Sequence, residues 1–135
     1  MPYRNEHFDG GRGIVRIWSG VVAARELTEA TIADYQVREN WPEVEYFISD
    51  FTEVTDLRAT PAEIRELSTA EVRNAPFIPD LIMAVVAPSD FMFGMARMWQ
   101  VFAQKTGWSL GVFRTRPEAD TWVRQVLADR TATRK

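Results

Sequence analysis

The chain has 135 residues, which is enough for one domain with its own core, and its composition excludes several kinds of site. It contains no cysteine, so disulfides, thiolate nucleophiles and cysteine-ligated metals are ruled out. The formal net charge of -3 offers no electrostatic basis for binding nucleic acid or an anionic membrane. No stretch approaches the roughly 20 apolar residues of a membrane span, and the N-terminus has no apolar signal region. We therefore expect a single cytoplasmic domain over 1–135, with no nucleic-acid partner and no membrane insertion.

The first half of the chain begins with a predicted β-hairpin. Strands over Tyr3–Phe8 and Ile14–Ser19 are joined by a glycine-rich turn, which is typical of an antiparallel pair. Apolar residues at helical spacing then predict a helix over Val22–Val37. A third strand is predicted over Val44–Ser49, followed by a loop over Asp50–Ala59.

The second helix has the clearest start in the chain. Thr60-Pro61-Ala62-Glu63 is a capping box, in which the threonine is the N-cap and the glutamate lies three residues later. The helix is predicted to reach about Arg73. An almost wholly apolar strand, Leu81–Ala87, follows a linker and has the composition of a central strand covered on both faces.

The remaining chain completes a β-α-β unit and adds one helix. A helix over Ser89–Lys105 is capped by Ser89 and ended by Gly107, and a strand is predicted over Trp108–Phe113. A second capping box, Thr115–Glu118, opens the last helix, and residues 128–135 are predicted to form a frayed polar tail. The order β-β-α-β-α-β-α-β-α predicts an α/β fold with a mostly parallel five-stranded sheet begun by an N-terminal β-hairpin, with about four helices.

Three segments carry a resemblance to a known family. They are Asp50–Asp56, the stretch Val86–Ser89 leading into Gly94–Met98, and Val112–Thr115 with the start of the last helix. Together they resemble the STAS-like family related to SpoIIAA, the bacterial anti-sigma-factor antagonist. The resemblance implies a SpoIIAA-like fold and a function in binding, as in sigma-factor regulators, transporter domains and, more distantly, Sec14-type lipid carriers.

The chain departs from that family at its phosphorylation motif. The antagonists have Asp-Ser-Ser-Gly at the start of the helix after this strand, whereas this chain has Leu57-Arg58-Ala59-Thr60-Pro61. Thr60 has a structural role as the N-cap. The resemblance therefore does not carry the phosphorylation switch over to this chain.

One candidate site lies at the carboxyl ends of the predicted strands. Asp50, Asp56, Ser89 and Asp90 would collect there, and carboxylates of this kind can hold Mg²⁺. A magnesium-dependent enzyme is thus one hypothesis. The alternative is structural, because Asp90 suits the first turn of a helix and Asp50 suits a loop cap. We favour the structural interpretation and assign no metal, cofactor or catalytic residue.

A second candidate is the surface of the third predicted helix, formed by Met92, Phe93, Gly94, Arg97 and Trp99. A glycine inside a helix costs about 1 kcal/mol relative to alanine, so close packing or a gap for a ligand or second subunit should compensate. Phe93 is predicted to lie opposite the main apolar stripe. The surplus apolar surface indicates a self-interface, a covered helix or a lipid groove.

Two functional hypotheses follow from these observations. The first is a non-enzymatic STAS-like regulatory or protein-interaction domain, expected to form a homodimer through the third helix and to bind an unknown protein partner. The second is a small binding module for a lipid or other apolar ligand. It predicts a cavity lined by side chains of that helix, namely Met92, Met95, Met98, Trp99 and Phe102.

Overall fold

The computed structural model describes residues 2–36 and 43–134, with the backbone alone for Arg134. The strands are β1 Tyr3–Phe8, β2 Gly13–Ala23, β3 Tyr46–Arg58, β4 Ile82–Val86 and β5 Ser109–Phe113. The helices are α1 Ala24–Gln36, α2 Pro61–Asn74, α3 Asp90–Phe102 and α4 Arg116–Arg134. Short 3-10 turns lie at Asp9–Gly11, Ala75–Phe77 and Ala103–Thr106.

The five strands form one mixed sheet in the order β1-β2-β3-β4-β5. β1 pairs with β2 antiparallel, as the predicted hairpin requires, and the other three pairs are parallel. The predicted α/β class is confirmed, together with a five-stranded sheet and four helices over the described residues.

The spatial order of the strands explains where the helices lie. From β2 to β5, each new strand is added at the same edge of the sheet. Because such crossovers are right-handed, α1, α2 and α3 all lie on one face of the sheet. Their apolar side chains share one core cluster with Trp18, Phe51 and Val85. α4 follows the last strand and does not connect two strands. Its residues Ala119 and Val123 cover the opposite face of the sheet.

The predicted loop over Asp50–Ala59 is wrong, because β3 continues through it to Arg58. Two register shifts against β2 each place an extra residue on β3, between Asp50 and Glu53 and again before Asp56. Each bulge reverses the alternation of side chains between the two faces. Phe51, Val54 and Leu57 therefore contact the same core cluster, although they are three residues apart.

The boundaries around the first predicted helix also differ. β2 extends to Ala23, so α1 begins at Ala24 and not at Val22. The predicted end of this helix, at Val37 before Asn40-Trp41-Pro42, lies outside the described residues. The later capping residues are as predicted, because Ser89 accepts a hydrogen bond from the Met92 amide and Gly107 is left-handed with φ 77°.

The described part of the predicted tail is helical, because α4 continues to Arg134. Arg130 fixes these turns to the edge of the sheet by donating to the Asp80 carbonyl at 2.6 Å and to Ser109 Oγ at 3.2 Å. The hydroxyls of Thr131 and Thr133 donate to carbonyls four residues earlier. A polar sequence thus remains helical because its side chains bond to the fold and to the helix backbone.

Candidate functional site: a cavity between the sheet and three helices

A cavity of about 100 Å³ lies between the sheet and the three helices that cover one of its faces, α1, α2 and α3. Its walls are mostly apolar and include Phe51 and Val85 from the sheet and Met92, Met95 and Ala96 from α3. The aromatic side chains lining it are Trp18, Tyr35, Phe47, Phe51, Trp99 and Trp108. Cavities of about 150 Å³ with apolar walls admit benzene, so this smaller space suits an organic ligand with only a few heavy atoms.

Glu71 brings a carboxyl group into this apolar space. It lies on the same stripe of α2 as Ile64 and Ser68, the stripe that packs inward, and only 4% of the residue is exposed. Trp99 Nε1 donates a hydrogen bond of 2.6 Å to Glu71 Oε1. Burial raises the pKa of Glu71 to about 7, and the bond from Trp99 opposes that rise.

The second carboxyl oxygen of Glu71 differs from the first in its hydrogen bonding. Within the described part of the chain, Oε2 accepts no hydrogen bond. Every fully buried side-chain nitrogen or oxygen in that part does have a partner. Oε2 therefore keeps some accessible surface, and Glu71 is part of the cavity lining.

A buried ion pair closes another side of the cavity. The Arg16 guanidinium donates to both carboxylate oxygens of Asp34 at 2.8 Å, while its Nε donates to Asn5 Oδ1 at 2.9 Å. It also lies over the rings of Tyr3 and Phe47, 4.4 and 5.0 Å from their centroids. Both charges are thus neutralised within the chain.

Other polar groups around the cavity are also engaged. Trp18 Nε1 donates to Ser49 Oγ at 3.1 Å, and the Thr31 hydroxyl donates to the Leu27 carbonyl at 3.0 Å. The pKa of the Tyr35 phenol is raised by burial and by the negative charges of Glu71 and Asp34. The phenol therefore remains protonated.

Among the strand-end residues predicted from the sequence, Asp56 lies far from Asp50. Because β3 is extended from Asp50 to Asp56, six residues separate them by roughly 20 Å. Asp50 is buried and accepts from the Thr52 amide and hydroxyl, whereas Asp56 pairs with Arg58 at 3.0 Å on the surface. No three potential ligand residues among the described ones are grouped to hold a metal ion.

The other two strand-end residues have structural roles at the start of α3. Ser89 caps the helix, and the fully exposed Asp90 pairs with Arg114 at 2.8 Å. The sequential strand order is also not the arrangement that usually forms a crevice at the strand ends. A strand-end crevice forms where neighbouring crossovers lie on opposite faces, and here they share one face.

The predicted surface of α3 divides into buried and exposed parts. Met92 and Trp99 are buried and line the cavity. Phe93 is half-buried beneath Arg114, whose guanidinium carbon lies 4.1 Å from the ring centroid. Gly94 and Arg97 are exposed.

Close packing does not explain Gly94. A Cβ atom built there would meet no atom of the described neighbours within 4 Å. Two large apolar side chains of α3 are exposed instead, Phe91 by 54% and Val101 by 62%. The cavity predicted for this helix is present, with Met92, Met95 and Trp99 in its wall; Met98 and Phe102 are half-buried and are not part of the described lining.

Sequence reasoning missed Glu71, although a signal for it was present. Ile64, Leu67, Ser68 and Glu71 follow the three- and four-residue spacing of one helix face. A carboxylate at a core position of an amphipathic helix is uncommon and marks a candidate site. Arg16 gave a similar signal, because it is a charged residue between the apolar Ile14 and Trp18 on the same face of β2.

Comparisons with models of protein families, with curated proteins and with solved structures found no match to this chain. The resemblance to STAS-like proteins therefore stays a prediction. None of the helices in the described ranges is both long and apolar enough to cross a membrane.

Proposed function

We propose that this chain is a non-enzymatic, STAS-like binding domain whose ligand is a small, mostly apolar molecule held between the sheet and α1, α2 and α3. The observation that carries the proposal is the cavity of about 100 Å³ with one accessible carboxyl oxygen in an apolar wall. Ligand sites of small molecules commonly combine apolar walls with a few polar groups that fix orientation. Among the two functions predicted from the sequence, this geometry favours the binding module for an apolar ligand.

The resemblance supports a binding function in general, because it implies relatives that act by binding. A SpoIIAA-like arrangement is also in keeping with a hairpin followed by parallel strands and crossover helices. The engagement of Arg16, Asp34 and Ser49 with partners inside the chain supports a binding role over catalysis, since each of these groups is already hydrogen-bonded to another side chain.

The test is a titration of the protein, labelled with ¹³C in its methionine methyl groups, with 1-butanol. Met83, Met92 and Met95 line the cavity, so their signals should move in a saturable manner. The half-buried Met98 serves as an internal comparison, since it is not part of the described lining. Unchanged signals of the lining methionines at saturating butanol would contradict the proposal.

Two variants separate binding in the cavity from binding elsewhere. Ala96→Leu adds a larger side chain from α3, and Ala87→Leu adds one from the end of β4; both alanines line the cavity. Each folded variant should lose the butanol response. Gly94→Ala is the matched control, because it enlarges an exposed position on the same helix without reaching the cavity, and it should keep the response.

A second candidate function is protein interaction through α3, including homodimer formation. The observation that favours it is the exposure of Phe91 and Val101 on this helix. Sedimentation analysis of the chain and of its Phe91→Glu variant tests it, with Arg97→Glu as the control for a charge change on the same helix. A wild type that is monomeric at all concentrations would contradict the homodimer.

A further inference from the structure

We infer that the cavity selects a small apolar amine, whose protonated nitrogen pairs with the Glu71 carboxylate while its hydrocarbon part contacts the aromatic and aliphatic walls. The inference rests on the proposed ligand-binding function and names the chemical class of the ligand. Three observations carry it: the charge balance of the cavity, the accessible oxygen of Glu71 and the composition of the walls.

The charge balance disfavours an anionic ligand. Arg16 is the cation among the described residues of the cavity wall, and both of its outer nitrogens bond to Asp34 at 2.8 Å. A fatty acid or phosphate would have to compete with the Asp34 carboxylate for this cation, and displacing Asp34 would leave its charge buried without a partner. The second carboxyl group of the wall, Glu71, has no cationic partner in the described structure. A positively charged group on the ligand would supply one.

The position of Glu71 suits an ammonium group. Its Oε1 accepts from Trp99 Nε1, which restricts the orientation of the carboxyl group, while Oε2 keeps some accessible surface and has no hydrogen-bonding partner among the described residues. An ammonium nitrogen donates hydrogen bonds and accepts none, and it therefore matches a carboxylate oxygen. The indole of Trp99 and the ring of Tyr35 also line this space, and aromatic faces attract cations at close range.

The same geometry makes amine binding depend on pH. The titratable and hydrogen-bonding side chains that line the cavity together with Glu71 include Tyr35 and Asp34 from α1, Arg16 from β2 and Trp99 from α3. Arg16 and Asp34 neutralise each other, and the raised pKa of Tyr35 keeps its phenol uncharged. Glu71 is thus the group that changes charge near neutral pH. A cationic ligand requires its ionised form, whereas a neutral alcohol does not.

The experiment compares n-butylamine, 1-butanol and butyrate, three probes with similar hydrocarbon parts and different charges. Each is titrated into the methionine-labelled protein at pH 6 and at pH 8, and the signals of Met92 and Met95 report binding. n-Butylamine remains protonated at both pH values. Its affinity should rise about tenfold from pH 6 to pH 8, because the ionised fraction of a carboxyl group with a pKa of about 7 rises by that factor.

Glu71→Gln removes the charge and keeps an oxygen that can accept from Trp99. In this variant n-butylamine should lose its dependence on pH, and its affinity at pH 8 should fall about tenfold or more, while 1-butanol binds as before. Glu66→Gln is the matched control, since Glu66 is exposed on the same helix and undergoes the same chemical change.

The outcomes distinguish a failure of the amine selectivity from a failure of the proposed ligand-binding function. If 1-butanol or butyrate binds the wild type at pH 8 as tightly as n-butylamine, or if Glu71→Gln leaves amine binding unchanged, the cavity binds ligands without selecting amines and the inference is overturned. If none of the three probes moves the methionine signals, the ligand-binding function itself is overturned.

Discussion

Glu71→Gln should make the protein more stable at pH 8 than the wild type, and the advantage should shrink toward pH 5. The buried carboxyl group has a pKa of about 7 in the fold, against an ordinary value of 4.5. Its raised pKa means that the folded state binds the proton more tightly than the unfolded state. The group therefore costs no stability below pH 4.5, and its cost grows as the pH rises to 7 and reaches its full value above that.

The size of the effect follows from the two pKa values. A difference between 4.5 and about 7, at about 1.4 kcal/mol for each unit, gives a cost of about 3 kcal/mol once Glu71 is ionised in both states. Most of that cost develops between pH 5 and pH 8. Glutamine cannot ionise and can still accept from Trp99 Nε1, so the variant avoids the cost and keeps the hydrogen bond.

Urea unfolding followed by tryptophan fluorescence measures the free energy of unfolding at half-unit steps from pH 5 to pH 8. Glu66→Gln is the control, because Glu66 is exposed on the same helix and reports the effect of losing one surface charge. The quantity of interest is the difference between the two variants at each pH. Parallel profiles for both variants would show that Glu71 is ionised in the fold at little cost, and the argument from burial would fail.

The ion pair and two glycines give further expectations, each measured as a change in the free energy of unfolding. Asp34→Ala should destabilise the fold by about 3 kcal/mol, because it leaves the Arg16 charge buried without its partner. Replacing both residues, with Arg16→Met and Asp34→Leu, should cost much less, and equal losses for the single and the double variant would contradict this reasoning. Gly94→Ala should stabilise by about 1 kcal/mol, since its Cβ meets open space. Gly13→Ala should destabilise by about 1–3 kcal/mol because its Cβ would overlap the Tyr46 ring, and a neutral result would show that the ring moves freely.

Local signals predicted the elements whose causes are local. The capping box at Thr60 is present, with the Glu63 amide donating to Thr60 Oγ1 at 3.3 Å and the Thr60 amide donating to Glu63 Oε1 at 3.0 Å. The apolar run of β4 and the left-handed Gly107 are also where the sequence places them. These features depend on a few neighbouring residues, and the sequence contains those residues directly.

The features that were missed depend on the partner strand or on the choice of face. The extension of β3 could not be predicted because two bulges in its pairing with β2 interrupt the alternation of apolar and polar residues. The apolar side chains of this part of β3 are three residues apart instead of two. The cavity required knowing that three crossover helices share one face. Glu71 was visible as a polar residue on an apolar helix stripe, but its importance depends on the wall that it faces.

The sequential order of the strands also has a consequence for how the chain folds. Every strand pairs with its neighbour in the chain, so no strand has to enter between two that are already paired. Two strands joined by a single crossover are close in the chain, so pairing them closes a shorter loop than pairing strands that are distant in the chain. Folds whose contacts are closer in sequence fold faster. During synthesis the sheet can grow by adding one edge strand at a time, and the described wall of the cavity, which ends at Trp108, can form before α4 leaves the ribosome.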